Sequence, residues 1–138
     1  MKVTIGNAFA LAMLDTNTDL TVMDVTKEQV VSMIKHGFTS VVGHEQAAQE
    51  YSVILGVTVP LNRTNFKLGE NDVLVVGQFT GGRLPEGVTF TPEQELEIKY
   101  KWRIIGHTEL IKRMFVPEQQ ESLLTKIKNK LKKLLTLQ

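Results

Sequence analysis

One histidine, two arginines, one carboxylate and several amides stand in four short segments of this chain. The segments are Asn7-Ala8-Phe9, Gly43-His44, Asn62-Arg63, and Gln78 followed by Arg83-Leu84-Pro85-Glu86-Gly87. That set suits cleavage of a phosphodiester better than hydrolysis of an ester or a peptide. The chain has no cysteine to act as a nucleophile, and neither His-x-x-x-His nor Cys-x-x-Cys metal spacing occurs. A phosphodiesterase made from these residues, with no metal, must use a nucleophile carried by its own substrate, such as a ribose 2′-hydroxyl.

His44 follows Gly43 at the start of an expected helix. Free N–H groups and a partial positive charge at a helix start favour phosphate, and a histidine there can protonate a leaving oxygen. A capping or loop histidine is the plainer reading of the same residue. Arg83 lies in a glycine-rich loop behind an apolar strand, where a loop can close over a ligand and arginine can grip phosphate in a fork. Glu86 is near enough to share that loop, and an ordinary solvated turn would also carry two such charges. Arg63 is either a phosphate contact or a surface charge. His36 reads as a helix-end residue and His107 as a linker residue. Gly81-Gly82 belongs to neither G-x-G-x-x-G nor a phosphate-loop lysine pattern.

The elements that must position these residues follow from periodicity and turn chemistry. Lys2 to Ile5 reads as a first strand. Asn7 is placed to cap a buried helix through Leu14, since that run is apolar all round. Leu20 to Val25 alternates as a second strand. Thr26 with Gln29 forms a capping-box pattern for a helix to His36, and Gly37 supplies the stop. A brief strand is expected over Phe38 to Val42, then a helix from about His44 to Leu55, stopped by Gly56. Thr64 to Leu68 is a further candidate strand, and Glu70-Asn71-Asp72 a turn. Asp72 to Phe79 is a near-continuous apolar run of the kind found at the centre of a sheet. Thr91-Pro92-Glu93 opens a short helix, and Ile98, Tyr100, Trp102 and Ile104 alternate as a half-exposed strand. The sequence has no internal repeat.

Composition narrows the partners. With 42% apolar and 22% charged residues in 138, the chain reads as one soluble domain with a modest core. The net charge of +1 hides an asymmetry. Residues 1–106 hold 9 basic and 12 acidic side chains, net −3, and residues 107–138 hold 7 and 3, net +4. The body lacks the broad basic face of a general nucleic-acid binder, so DNA is not an expected partner. An anion would be held locally, by few arginines and backbone amides. The apolar run Ala8 to Leu14 behind Lys2 is too short for a signal peptide, and no segment is long and apolar enough to span a bilayer. A cytoplasmic location is expected.

Asn-Ala-Phe after the first strand, Gly-His opening a helix, Asn-Arg, and Gln…Arg-Leu-x-Glu-Gly together resemble the viral type III anti-CRISPR ring nucleases, which also have relatives in prophages, mobile elements and CRISPR loci. The resemblance covers about residues 2–105, in order and with similar spacing. It implies an α/β fold with a mixed β-sheet flanked by helices, assembled as a two-fold homodimer. It also implies cleavage of cyclic tetra-adenylate, the second messenger that activates type III CRISPR ancillary nucleases, with no metal or other cofactor. Carried over residue by residue, His44 matches the catalytic histidine, and Arg83 and Glu86 match the loop arginine and glutamate. Asn7, Ala8, Phe9, Arg63 and Gln78 match ligand-contacting positions.

There are departures. Ala10 stands where a serine often follows Asn-Ala-Phe. The Gln78–Arg83 spacing is one residue longer, and Glu45-Gln46-Ala47 replaces the Asp-Ser-Thr that some members carry after the histidine. The mechanism implied is attack of an adenosine 2′-hydroxyl on its own 3′-phosphate, with His44 protonating the departing 5′-oxygen. Two other readings stand beside it: a non-catalytic module that sequesters or senses a cyclic oligonucleotide, and an interaction protein that uses its terminal helix.

Residues 1–106 thus read as the ring-nuclease-like domain, and residues 107–138 as a helical C-terminal extension. Within the extension, Thr108 to Phe115 is expected as helix. Pro117 opens a last helix whose Leu123, Leu124, Ile127, Leu131, Leu134 and Leu135 share one stripe. Burial against its own body or the sister subunit is expected of that stripe, with an anionic membrane surface as the alternative.

Overall fold

The computed structural model describes residues 1–81, 86–115, 128 and 130–133. They form two compact units, Met1–His107 and Thr108–Gln138.

The first unit holds a mixed five-stranded sheet with helices, an α/β fold. Its strands are β1 (Lys2–Gly6), β2 (Leu20–Val25), β3 (Thr39–Ser40), β4 (Asp72–Phe79) and β5 (Tyr100–His107). Their order is β2-β5-β4-β1-β3. The most apolar run thus takes the centre, where both faces and both edges are covered. β3, β1 and β4 are parallel, with Thr4 beside both Thr39 and Leu74. β4 and β5 are antiparallel, and so are β5 and β2. The alternation expected from Ile98 to Ile104 is present only from Tyr100, where Trp102 and Ile104 are buried while Lys101 is exposed; Ile98 instead ends the preceding helix.

Three helices follow their start signals. Thr26 and Gln29 exchange both bonds of a capping box at α1 (Lys27–Ile34). Thr91 and Gln94 do the same at α3 (Pro92–Glu97), with Pro92 at the first position. α2 (Glu45–Leu55) begins behind His44 and ends at Gly56, whose φ of 69° is the left-handed stop. Tyr51 of α2 is fully buried on one sheet face, where its hydroxyl donates to the carbonyl of Gly77 and accepts from Gly77 N–H. A Cβ at Gly77 would lie 2.8 Å from ring atoms of both Tyr51 and Trp102, so the aromatic packing requires glycine there.

The opposite sheet face is covered by irregular chain. Leu68, Leu74 and Ile105 form its core, with Phe9, Met13, Leu14 and Phe66 packed around them. Two expectations fail here. The helix expected from Asn7 to Leu14 is only a 3-10 turn at Leu11–Met13, and Leu11 is 80% exposed. The cap is missing because the Asn7 side-chain oxygen accepts from Gly43 N–H instead. A run this short is marginal as a helix without a cap. The strand expected over Thr64 to Leu68 is irregular too. Its Leu68 N–H donates to Met13 carbonyl, which joins the two covering segments rather than extending a ladder.

His107 is no linker residue. It ends β5 opposite Leu20, and its ring meets the Thr18 hydroxyl at 2.7 Å and Leu68 carbonyl at 3.4 Å. In the second unit, residues 108–115 are helical, as are 128 and 130–133. The expected terminal stripe lies outside the described residues except for Leu131, which is 54% exposed. No helix among the described residues is long and apolar enough to cross a membrane.

Candidate functional site

The parallel strands β1, β3 and β4 all end on one edge of the sheet, and the chain segments behind them carry most of the candidate residues. Open α/β sheets bind ligands outside the carboxyl ends of their strands, because loops and helix starts converge there. Asn7, Ala8 and Phe9 follow β1, Gly43 and His44 follow β3, and Gln78 is the last residue but one of β4. Side chains lace these segments together. Asn7 Oδ1 accepts from Gly43 N–H at 2.9 Å. Asn62 donates its side-chain amide to Ser40 carbonyl and its backbone N–H to Val42 carbonyl, both at 2.8 Å. The Ser40 hydroxyl donates to Pro60 carbonyl at 2.6 Å.

These bonds lay Arg63 along Gly43, where an added Cβ would stand 3.3 Å from the Arg63 Cγ. Asn7, Gly43, His44 and Arg63 are therefore neighbours although 56 residues separate the first from the last. His44 is exposed and caps α2 without a side-chain bond of its own. Arg63 is exposed and makes no ion pair with the described residues.

Two hollows open at this edge and share Asn7 and Phe79. The first, about 290 Å³, lies on the helix-covered side and is lined by His44, Gln46, Tyr51 and Tyr100 besides. The second, about 430 Å³, lies on the opposite sheet face and reaches Ala8, Phe9, Gln78 and Arg103. The structure thus brings Asn7, Ala8, Phe9, His44, Arg63 and Gln78 to one edge, but His44 lines the first cavity, Ala8, Phe9 and Gln78 line the second, and Arg63 lies beside Gly43 in the lining of neither. Arg83 lies outside the described residues. Glu86 is an exposed turn residue before Gly87, and it makes no hydrogen bond or ion pair with His44 among the described residues.

Sequence reasoning left Gln46, Phe79, Tyr100 and Arg103 out of the site. Phe79 and Tyr100 read simply as strand residues. Only the pairing register, which sets Phe79 opposite Tyr100, brings the two rings to the end of the sheet. The rings meet edge to face, with centroids 5.5 Å apart. Tyr100 donates its hydroxyl to Glu50, and Gln46 donates its amide to the other oxygen of that carboxylate at 3.1 Å. Burial, followed by the Glu50 bond and charge, raises the Tyr100 hydroxyl above its ordinary pKa. Burial likewise pushes Tyr51 up to about 12. Both therefore stay neutral donors across the physiological range.

Arg103 is engaged differently. Its Nε donates to Asp24 at 3.0 Å, and Lys101 bonds the other oxygen of Asp24 at 3.1 Å. The Lys101 bond, aided by Arg103 and opposed by slight desolvation, holds the Asp24 carboxyl below its ordinary value. No group of three or more His, Asp or Glu side chains that could hold a metal ion occurs among the described residues.

Known proteins share this framework. Residues 3–102 match the family described as STIV B116-like. Over 72 residues the chain is 35% identical to "Uncharacterized protein ORF117" of Acidianus two-tailed virus, a match that spans 51% of this chain and 59% of the relative. The solved structure of B116 of Sulfolobus turreted icosahedral virus superposes with a TM-score of 0.63 at 21% identity. That likeness covers 78% of this chain and all of B116, and at that identity it speaks for the fold alone.

Proposed function

The chain belongs to the STIV B116-like family, a viral family, and from that premise and the edge of the sheet we propose that it is a metal-independent ring nuclease. It cleaves cyclic tetra-adenylate to linear di-adenylate and so switches off type III CRISPR signalling in the cytoplasm of an infected cell. The observation that carries this reading is the Asn7–Gly43 bond with Arg63 laid along Gly43. It sets a histidine, an amide and an arginine with no ion pair among the described residues around one helix start, where a phosphodiester oxygen is well received.

In the proposed reaction an adenosine 2′-hydroxyl attacks the adjacent 3′-phosphate. The new bond is 2′-oxygen to phosphorus, and the bond broken is phosphorus to 5′-oxygen. His44 gives a proton to that leaving oxygen, and solvent takes the 2′-hydroxyl proton. The product ends in a 2′,3′-cyclic phosphate. Arg63 holds the ground-state phosphate, and Arg83 stabilises the charge that develops on the phosphoryl oxygens. In-line placement of the 2′-hydroxyl supplies much of the acceleration. A two-fold homodimer presents one His44 to each side of a symmetric ring.

The test is product analysis. The protein is incubated with cyclic tetra-adenylate in excess chelator and followed over multiple turnovers. Linear di-adenylate with a cyclic phosphate end is expected; an intact ring removes the reading. A second reading, sequestration without cleavage, draws support from the lack of any bond between His44 and Glu86 among the described residues, since a catalytic acid is normally oriented by a partner. Tight binding with no product would select it.

A further inference from the structure

The helix-side cavity contains more than the phosphate chemistry uses. Phe79 is 62% exposed at the last position of β4. A large apolar ring left in water at the mouth of a cavity is the kind of surface a ligand covers. Its neighbours are held still. Tyr100 stands edge-on to both Phe79 and Tyr51, at 5.5 Å from each, and its hydroxyl is tied to Glu50. Tyr51 is tied to Gly77 and packs 4.9 Å from Trp102. The platform is rigid before any ligand arrives, so little ordering would be lost on binding.

The polar side of the cavity is equally definite. Gln46 uses one amide hydrogen on Glu50 and keeps its oxygen and second hydrogen. An amide with its oxygen and one hydrogen still to offer is the side chain that matches the amino group and ring nitrogen of adenine. At about 290 Å³ the space sits at the small end of ligand pockets, right for one flat heterocycle rather than a larger body.

We infer that the cavity beside His44 is a nucleobase subsite, in which Phe79 forms the stacking wall, Tyr100 braces it edge-on and Gln46 reads the edge of an adenine. The choice of adenine rests on the ring-nuclease reading; the stacking wall does not. The base would sit next to the helix start that receives the phosphate, so the subsite would set which phosphodiester faces His44. It would also make Gln46 a specificity residue.

Adenosine 5′-monophosphate and ribose 5-phosphate are the probes, titrated into the full chain. Trp102 is the sole tryptophan, and its ring lies 6.4 Å from Tyr100, so its emission reports on the wall. Saturable binding of the nucleotide is expected, with ribose 5-phosphate markedly weaker. Phe79→Ala should weaken the nucleotide by roughly five- to a hundred-fold, the scale of one base stack, and Phe79→Tyr should restore it. Gln46→Ala should narrow the preference for adenosine over guanosine monophosphate. Equal binding of ribose 5-phosphate, no saturable nucleotide binding, or unchanged binding by Phe79→Ala would each overturn the subsite. The two readings fail separately. Ring cleavage with a neutral Phe79→Ala leaves the nuclease and removes the subsite. Phe79-dependent nucleotide binding without ring cleavage does the reverse.

Discussion

The two halves of the sheet hold similar charged side chains in opposite circumstances. On the antiparallel half, Arg103 and Lys101 both engage Asp24 across the β2–β5 pair. On the parallel half, Arg63 is fixed along its stem by Gly43 and has no carboxylate partner among the described residues. A cation already sharing a carboxylate has less to offer an incoming phosphate than one presented free beside helix-start N–H groups. Arg63 is exposed and Arg103 half-buried, and the carboxylate beside Arg103 has no counterpart beside Arg63 among the described residues. Under the proposed function, the difference assigns anion binding to the parallel half, while the antiparallel half carries structural ion pairs.

The strongest way to break that division is to remove the acid. His44→Ala is expected to abolish ring cleavage while ligand affinity stays within about tenfold, or about 1.4 kcal/mol. In the proposed reaction the histidine acts on the leaving oxygen, whereas arginines and amides hold the ground state. Single-turnover rates and a binding titration on the same variant check both parts, and full cleavage by His44→Ala would remove the assignment. Arg83→Ala should slow cleavage by roughly a hundredfold, the scale for a lost transition-state charge contact. Arg83→Lys should recover only part, because a point charge does not replace the planar fork.

Binding then separates the halves directly. Arg63→Ala should weaken cyclic tetra-adenylate by roughly ten- to a hundredfold, from loss of a charged hydrogen bond worth about 1.5–3 kcal/mol. Arg103→Ala should change affinity far less. Calorimetric titration of both variants decides it, and equal losses would erase the contrast.

Much of this arrangement was legible in the residues. Capping boxes, glycine stops and apolar periodicity carry α1, α2, α3, β2 and β4 because each is a local signal. Asn7 marks where legibility ends. Its type suits a helix cap, and the sequence offers an apolar run behind it, but Gly43 competes for its oxygen from 36 residues away. The lost helix and the gained site tie are the same event. Phe79 and Tyr100 were equally hidden, since only strand register makes them neighbours. The order of Asn7, His44, Arg63 and Gln78 along the chain held the candidate site, while the split into two hollows depends on which sheet face each residue occupies.

Stability should respond on the helix-covered face. Gly77→Ala drives a methyl to 2.8 Å from Tyr51 and Trp102 ring atoms, and overpacking of that kind costs about 1–3 kcal/mol. Tyr51→Phe should cost about 1–3 kcal/mol, because it removes the hydroxyl partner of Gly77. The pH response follows from a raised acid pKa. The native state favours neutral Tyr51, so its contribution is complete below the ordinary value of 10.0 and declines as pH rises toward about 12. Tyr100 acts in the same direction. Denaturant melts from pH 8 to pH 12 should fall more steeply for the native sequence than for Tyr51→Phe. Parallel curves would take Tyr51 out of the alkaline transition.

The smallest effect is the sharpest on the comparison itself. Asp24→Asn leaves the β2–β5 pairing intact and removes the carboxylate that Arg103 and Lys101 share. Asp24 and Lys101 are exposed and Arg103 half-buried, so little stability should be lost at neutral pH, and less in high salt. The acid response has a definite sign. The Asp24 carboxyl sits below its ordinary value, so its stabilisation is present above about pH 4 and fades as pH falls through the depressed value. Asp24→Asn should lack that part of the acid dependence. Its more telling effect is on the ligand. With Asp24 neutralised, Arg103 beside the second hollow becomes a free cation like Arg63, and affinity for the polyanion should rise a few-fold at low salt, then return to the starting value as salt screens the added field. Titration at two ionic strengths measures this. A loss of affinity would mean that Asp24 positions Arg103 for the ligand instead of occupying it, and the antiparallel half would then belong to the site.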